Sequence, residues 1–106
     1  MNYEVEILET ALIDMDNIYS YIAYALKAEQ AAQNIIDELE KGILSLDTFP
    51  KKYGIYDHLP WSEREVRKMP LGDYLIFYRI REDQKKVRVY RVIYGASDVD
   101  KHLGDI

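Results

Sequence analysis

The residues best suited to chemistry in this chain are its arginines. All six lie in one stretch, at positions 64, 67, 79, 81, 88 and 91, and the residues before that stretch contain none. The planar fork of an arginine can hold two phosphate oxygens and stabilise the charge that develops when a phosphodiester is cleaved. Each of the six, Arg67 among them, is therefore a candidate cation for a phosphate group. The alternative is that Arg67 pairs with a carboxylate or with a binding partner.

Tyrosine and histidine supply the other candidate reactive groups. Tyr94 ends an apolar run beside Gly95, where a side chain can face a cleft and contact a substrate. His102 is a candidate general acid or base because an unperturbed imidazole has a pKa of about 6.5. The simpler interpretation of His102 is an exposed residue of the C-terminal tail. The sequence contains no metal-ligand spacing, glycine-rich phosphate loop or Ser-His-Asp arrangement, so we predict neither a metal nor a cofactor.

Charge is distributed unevenly along the 106 residues. The net charge is −5, but residues 1–63 carry four Lys and twelve Asp or Glu, whereas residues 64–106 carry ten Lys or Arg and seven Asp or Glu. The overall acidity argues against a protein that coats nucleic acid without specificity. A local basic face for a phosphate-bearing substrate or an acidic partner remains open. The chain has no cysteine, which excludes a disulfide.

The arginines must be positioned by a small sheet. Residues 64–94 form three runs rich in Val, Ile, Tyr and Phe, broken at 70–73 and again at 82–86. Aromatic and β-branched residues between turn formers are typical of strands joined by tight turns. This stretch therefore predicts a three-stranded antiparallel meander.

Strand alternation sorts the arginines of the meander by face. Arg79 and Arg81 share one face of the second predicted strand because side chains two residues apart point the same way. The same rule groups Arg91 with Val87, Val89 and Ile93 on the third. We expect Arg79, Arg81 and Arg91 to gather on one face, which is a candidate surface for phosphate or an acidic peptide. The alternative is a solvated face with modest ion pairs.

The N-terminal half predicts one strand and two helices. Tyr3 to Leu8 alternates between apolar and mostly acidic residues, which indicates an edge or early strand of the same sheet. Apolar residues then recur at three- and four-residue spacing, and the short break between two such runs predicts a helical hairpin over residues 10–47. We expect Thr10 to cap the first helix. The predicted fold is α+β, in the order β-α-α-β-β-β, as one domain over residues 1–106.

The aromatic residues outside the meander are expected to pack. Residues 47–60 predict an ordered surface loop, because its aromatic side chains and the Trp that follows are too apolar to leave in water: Phe49, Tyr53, Tyr56 and Trp61. Tyr19, Tyr21 and Tyr24 of the first helix are expected to pack against the sheet. Residues 95–98 predict a turn, and residues 99–106 can form one helical turn at most.

The location of the protein is predicted from its hydropathy. The N-terminus has neither a basic head nor an apolar core, which argues against a signal peptide. No apolar run approaches the ~20 residues of a membrane span. We expect a cytoplasmic protein without a membrane partner.

Two motifs of the meander carry a family resemblance. Residues 74–80 read Y-L-I-F-Y-R-I, and residues 91–98 read R-V-I-Y-G-A-S-D. With the preceding V-R-K-M-P-L-G-D and the two helices, this pattern resembles the RelE/ParE superfamily of bacterial toxins from type II toxin-antitoxin modules. The resemblance covers essentially the whole chain.

The resemblance implies a toxin that a cognate antitoxin holds inactive, as a possible hetero-oligomer of the two. Family members either cleave mRNA on the ribosome, without a metal, or inhibit DNA gyrase. Position by position, the family's catalytic residues fall on Arg67, Tyr74 and Tyr94, and its terminal motif continues to Ser97 and Asp98. Many relatives have arginine where this chain has Ser97, which argues against RNA cleavage.

Three functions therefore remain open at this point. The toxin could be a ribosome-dependent endoribonuclease, a gyrase inhibitor, or a degenerate module that keeps the fold and binds only the antitoxin. Beyond the three implied catalytic residues, the candidates for binding substrate or antitoxin are Arg79, Arg81, Arg91, Ser97, Asp98 and His102.

Overall fold

The computed structural model describes residues 2–106 and confirms the predicted order of elements. Strand β1 and the helical hairpin come first, the three-stranded meander follows, and a short helix ends the chain. Their bounds are β1 Glu4–Ile7, α1 Glu9–Ser20, α2 Glu29–Leu44, β2 Arg67–Leu71, β3 Tyr74–Arg81, β4 Lys86–Tyr94 and α3 Val99–Leu103. None of the helices between residues 2 and 106 is long and apolar enough to cross a membrane.

The four strands form one mixed sheet in the order β1-β4-β3-β2. The antiparallel pairing of β2 with β3 and of β3 with β4 is the predicted meander. Strand β1 lies at the edge, as expected, and pairs in parallel with β4, so that Val5 is opposite Val87 and Ile7 is opposite Val89. A parallel pair needs a long crossover connection, and the helical hairpin begins that connection.

The main core lies between the hairpin and one face of the sheet. Val5 and Ile7 pack against it, which confirms the alternation predicted for β1. Gly42 lies in the second helix where the side chain of Leu71 approaches the backbone so closely that a Cβ would collide with it. This contact explains a glycine inside a helix that runs unbroken to Leu44. The buried members of the core are Ala11, Met15, Leu39, Ile43, Leu46, Met69, Ile76, Tyr78, Val87, Val89 and Val92.

The expected helix cap at Thr10 is wrong. Helix α1 begins at Glu9, with Leu8 at the cap position and no side-chain cap. The Thr10 hydroxyl instead donates a hydrogen bond to the main-chain oxygen of Tyr90, at 2.6 Å. Strand β1 stops at Ile7, so β4 has free main-chain groups beyond Val89, and Thr10 satisfies one of them.

The expected packing of the first-helix tyrosines is also wrong for two of them. Tyr21 is 61% exposed and Tyr24 is 66% exposed. Both lie in a π-helical turn, Tyr21–Ala25, where the amide of Leu26 bonds to the oxygen of Tyr21. Ile22, between the two tyrosines, is buried instead, so Tyr21 and Tyr24 lie on the exposed side of the turn.

A β-bulge changes the faces of β4. Phe77 is opposite Arg91 and Tyr78 is opposite Val89, so Tyr90 is an extra residue in the ladder. Before the bulge the predicted alternation holds, since Val87 and Val89 share one face, which is the face that packs against the hairpin. After the bulge it is wrong, because Val92 joins the main core and Ile93 faces the opposite side.

The second face of the sheet is partly covered by the loop before β2 and by the C-terminus. Tyr56 and Trp61 are buried there, as predicted for the loop, together with Val66, Phe77, Ile93, Leu103 and Ile106. Phe49, by contrast, is 74% exposed. The prediction that every loop aromatic packs is therefore wrong at Phe49.

Candidate functional site

Arg67 lies at the start of edge strand β2, and its guanidinium donates hydrogen bonds to main-chain oxygens. Its Nη1 donates to the carbonyl oxygen of Tyr53 at 2.7 Å and approaches that of Lys51 at 3.4 Å. Opposite Arg67 on β3, burial raises the pKa of Tyr78 to about 12, while the Arg67 charge acts in the opposite direction. The Tyr78 hydroxyl donates to the oxygen of Pro50 at 2.6 Å. Arg67 and Tyr78 together fix the loop at Pro50–Tyr53.

Tyr74 and Tyr94 form a pair at one end of the sheet. They are opposite each other on β3 and β4, and their rings meet edge to face with centroids 5.9 Å apart. Burial, followed by the charge of Asp73, raises the pKa of Tyr74. Tyr94 is 52% exposed. A phenol with a raised pKa stays protonated at neutral pH, so Tyr74 can donate a hydrogen bond but does not act as a base.

The two tyrosines line an apolar groove between the sheet and the tip of the helical hairpin. We call it the hairpin groove, and its volume is about 750 Å³. Exposed apolar surface of this kind is typical of a site that binds a protein segment or a ligand. The groove is lined by Asn17, Ile18, Tyr21, Ile22, Leu26, Ala28, Ala31, Ile35, Asp73, Tyr74 and Tyr94.

The turn after β4 holds Ser97 in a structural contact. Both the amide and the hydroxyl of Ser97 donate to the carbonyl oxygen of Tyr94, at 3.0 and 2.6 Å. The amide of Gly95 donates to the oxygen of Asp73 at 2.8 Å, and a Cβ at Gly95 would lie 3.2 Å from that oxygen. Asp98 precedes α3 without a side-chain cap. Ser97 therefore closes the turn, and Asp98 is exposed.

Arg91 on β4 connects its strand to α1 and α3. Its Nε and Nη2 donate to the two carboxylate oxygens of Asp14 on α1, at 2.7 and 2.9 Å. Its Nη1 donates to the main-chain oxygen of His102 in α3. The hydrogen bond from Arg91 to Asp14 raises the pKa of the guanidinium, and burial opposes that effect. His102 contributes only its main-chain carbonyl to this contact. The residue itself is exposed, as the simpler interpretation expected.

Arg79 and Arg81 lie on what we call the outer basic face, formed with Lys86 and Arg88. Arg79 is opposite Arg88, and Arg81 is opposite Lys86, so two successive cross-strand pairs place like charges together. Such pairs destabilise a sheet unless carboxylates compensate them. Lys86 pairs with Glu4 at 3.5 Å, Arg88 with Glu6 at 3.1 Å, and Arg81 with Asp83 at 3.5 Å. Within residues 2–106, Arg79 is the member of this face without a salt bridge.

The predicted site residues therefore occupy separate places. Tyr74 and Tyr94 face the hairpin groove, Arg67 anchors the loop, Arg91 joins α1 to α3, and Arg79 and Arg81 lie on the outer basic face. The structure does not bring Arg67 and Tyr94 into one cleft. Among the residues described, no cluster of three or more His, Asp or Glu could hold a metal ion.

A contact that the sequence did not predict joins the loop to α3. His58 Nδ1 lies 2.9 and 3.1 Å from the two carboxylate oxygens of Asp100, and the Tyr56 hydroxyl also bonds to Asp100. The hydrogen bond from Tyr56, and then that from His58, lowers the pKa of Asp100. Burial and the bond to Asp100 raise the pKa of Tyr56. Forty-two residues separate His58 from Asp100, and no local pattern signals the pair.

Comparisons with known proteins identify relatives of this architecture. Residues 5–99 match the family model described as ParE toxin of type II toxin-antitoxin system, parDE. No curated protein sequence matches the chain significantly.

Among solved structures, the chain is similar to the chromosomal ParDE system of P. aeruginosa, with a TM-score of 0.72 and 17% identity over 87% of this chain and 95% of that one. It is similar to the RelBE2 toxin-antitoxin complex of Mycobacterium tuberculosis, with a TM-score of 0.69 and 18% identity over 92% and 95%. It is also similar to a mutant of the E. coli toxin RelE in the free state, with a TM-score of 0.64 and 19% identity over 97% and 95%. At these identities the structural likeness shows the fold.

Proposed function

The chain belongs to the ParE toxin family of type II toxin-antitoxin systems, and from this premise we propose that it arrests growth by inhibiting DNA gyrase and that a cognate antitoxin neutralises it in the cytoplasm. Inhibition of this kind is binding and needs no catalytic residue. The single observation that carries the proposal is the state of Arg67, whose guanidinium is held by the oxygens of Tyr53 and Lys51.

RNA cleavage through the 2′-hydroxyl requires a base, a cation and an acid around one phosphate. Arg67 is bound to the loop, and Ser97, where many relatives have arginine, is bound to the end of β4. Tyr74 and Tyr94 face the hairpin groove, which is mostly apolar and includes one carboxylate, Asp73. These placements favour a protein that binds over one that cleaves.

The hairpin groove is the proposed site for the antitoxin. The solved relatives include a ParDE system and a RelBE2 toxin-antitoxin complex, so partners of this fold are antitoxin chains. Tyr21, Leu26 and Tyr94 expose apolar surface in and around the groove. An apolar segment of the antitoxin would cover that surface and form a hetero-oligomer. The outer basic face, with Arg79 and Arg81, remains available to an acidic or phosphate-bearing part of the target.

The test measures both candidate activities with the purified chain. We expect loss of supercoiling by DNA gyrase, no cleavage of mRNA at translating ribosomes, and full recovery of supercoiling when the antitoxin is added. Cleavage without loss of supercoiling would contradict the proposal. Unimpaired growth on induction would instead indicate a degenerate module that binds only the antitoxin.

RNA cleavage is the second candidate function, because one contact favours it. Asp100 holds His58 through Nδ1, which is the arrangement that orients a general base in many enzymes. The exposed ring keeps Nε2 for proton transfer. If the chain is a ribonuclease of this kind, His58→Ala abolishes mRNA cleavage. If it inhibits gyrase, His58→Ala leaves the inhibition of supercoiling unchanged.

A further inference from the structure

Phe49 is the most exposed large apolar residue in the part of the chain that the structure describes. Its side chain is 74% exposed, and its backbone has φ 51° and ψ 55°, in the left-handed region. A phenylalanine in this region is strained, and such strain persists only where the surrounding structure imposes it. Exposure and backbone strain together are unfavourable for folding, and nothing in the core gains from either.

The surrounding structure imposes this conformation from both sides. Before Phe49, the amide of Tyr3 donates to the oxygen of Asp47 at 2.8 Å. After it, Pro50 is buried and its oxygen accepts the hydrogen bond from Tyr78. The amide of Lys52 donates to the oxygen of Phe49 itself, at 3.0 Å. The ring is thus presented outward by a rigid turn, and little conformational entropy is lost when it binds.

The neighbours of Phe49 indicate what it contacts. Lys51 and Lys52 follow it, and with Tyr3 and Pro50 they line a shallow hollow of about 410 Å³ beside the ring. Lys51 lies only loosely near Glu82, at 3.7 Å, with 63% of its side chain exposed. An aromatic ring flanked by exposed ammonium groups is complementary to an apolar pocket with carboxylates at its rim.

We propose that Phe49 is the anchor by which this toxin engages its target protein, inserting into an apolar pocket that is rimmed by carboxylates. The proposal rests on the proposed function, since it names the surface that meets the target. A protein is favoured over single-stranded nucleic acid, because nucleic acid is bound by successive exposed rings along a continuous basic groove. Among the described residues that line the hollow, Phe49 has the one exposed ring, and Glu82 lies near Lys51 and Lys85.

The test uses Phe49→Gly, which removes the ring and relieves the backbone strain at once. Glycine adopts a positive φ freely, so the thermal midpoint should stay within a few degrees of the wild type. We expect induced Phe49→Gly to permit growth. The concentration that halves supercoiling by DNA gyrase should rise about tenfold or more. Co-purification with the antitoxin should be unchanged.

Leu59→Ala is the matched control, because Leu59 is an exposed loop residue of similar exposure, at 69%. It should arrest growth as the wild type does. If Phe49→Gly is expressed at the wild-type level and still arrests growth, the proposal is overturned. The same holds for loss of antitoxin binding with growth arrest retained, or for a Phe49-dependent affinity for an oligo(dT) probe measured by fluorescence anisotropy. A wild-type chain that arrests growth without affecting gyrase refutes the gyrase target alone, and the growth assay still tests Phe49.

Discussion

Arg67, the residue on which the resemblance placed a catalytic role, holds the loop at Pro50–Tyr53 in this molecule. Its residue type and its place on the first strand of the meander were evident from the sequence. Its partners were not, because they are main-chain oxygens fourteen and sixteen residues earlier in the chain, in a loop without a regular period. Hydrogen bonds to a loop depend on the path of that loop, which local patterns do not specify.

We expect Arg67→Ala to destabilise the fold without changing the activity of the folded protein. The change removes a charged donor from the oxygens of Tyr53 and Lys51, and it should lower the free energy of unfolding by about 1–3 kcal/mol. Urea denaturation measures that loss, and growth arrest per folded molecule measures the activity. Arg79→Ala is the control, expected to change stability by less than about 0.5 kcal/mol because Arg79 forms no salt bridge with the residues that the structure describes. If fully folded Arg67→Ala were no longer toxic, Arg67 would have a chemical role in the activity.

Asp100 is expected to make the attachment of α3 sensitive to acid. Its pKa is lowered in the folded chain by the Tyr56 and His58 hydrogen bonds. A carboxyl with a lowered pKa stabilises the fold above the ordinary Asp pKa of about 4, and this contribution is lost as the pH falls through the lowered value. Urea unfolding between pH 3 and 7 should therefore show a steeper acid loss in the wild type than in Asp100→Asn. Identical pH profiles would mean that the contact does not stabilise the folded state.

At the level of elements, the periodicity of the sequence was sufficient for most of the fold. Strict alternation located β1, and spacings of three and four residues located both helices. The failures occurred where the backbone departs from a regular period. The bulge at Tyr90 exchanged the faces of Val92 and Ile93, and Tyr21 and Tyr24 are exposed in the π-helical turn. An inserted residue of this kind is fixed by tertiary contacts, so the sequence carries no local signal for it.

Asp14 is the contact on which the docking of α1 against β4 depends. Its carboxylate accepts two hydrogen bonds from Arg91 and one from the amide of Val92, at 2.9 Å. Asp14→Ala leaves a mostly buried guanidinium and a main-chain amide without that acceptor, and should lower the free energy of unfolding by about 3 kcal/mol. The double variant Asp14→Ala/Arg91→Ala should lose less than the sum of the two single variants, as a urea double-mutant cycle would show. Additive losses would argue against the ion pair.

At the level of the whole molecule, the chain presents three distinct surfaces: the hairpin groove, the outer basic face and the Phe49 turn. The sequence predicted the sheet that separates the first two, and it placed Arg79 and Arg81 on one side of that sheet. It did not predict the groove, because the groove forms where the tip of the hairpin lies beside the start of β3 and the end of β4. A toxin with separate surfaces for target and antitoxin can be neutralised by a partner that does not imitate the target.

Tyr94 tests the assignment of the hairpin groove to the antitoxin. Tyr94→Ala removes an exposed ring from the groove and should weaken antitoxin binding about tenfold or more by isothermal titration calorimetry. Growth arrest in the absence of antitoxin should persist. Tyr24→Ala is the control, because Tyr24 is similarly exposed but does not line the groove, and its antitoxin affinity should equal that of the wild type. Equal losses in both variants would place the antitoxin elsewhere on the hairpin.

The parallel pairing of β1 with β4 has a consequence for the chain during its synthesis. Residues 4–7 are synthesised well before residues 86–89, with which they pair, so the sheet stays open until β4 has been made. Until then the apolar face of the hairpin lacks most of its sheet, and a partly translated chain has no hairpin groove and no fixed Phe49 turn. The folded form therefore arises only after β4 has been synthesised, and the groove proposed for the antitoxin forms at the same stage as the Phe49 turn proposed for the target.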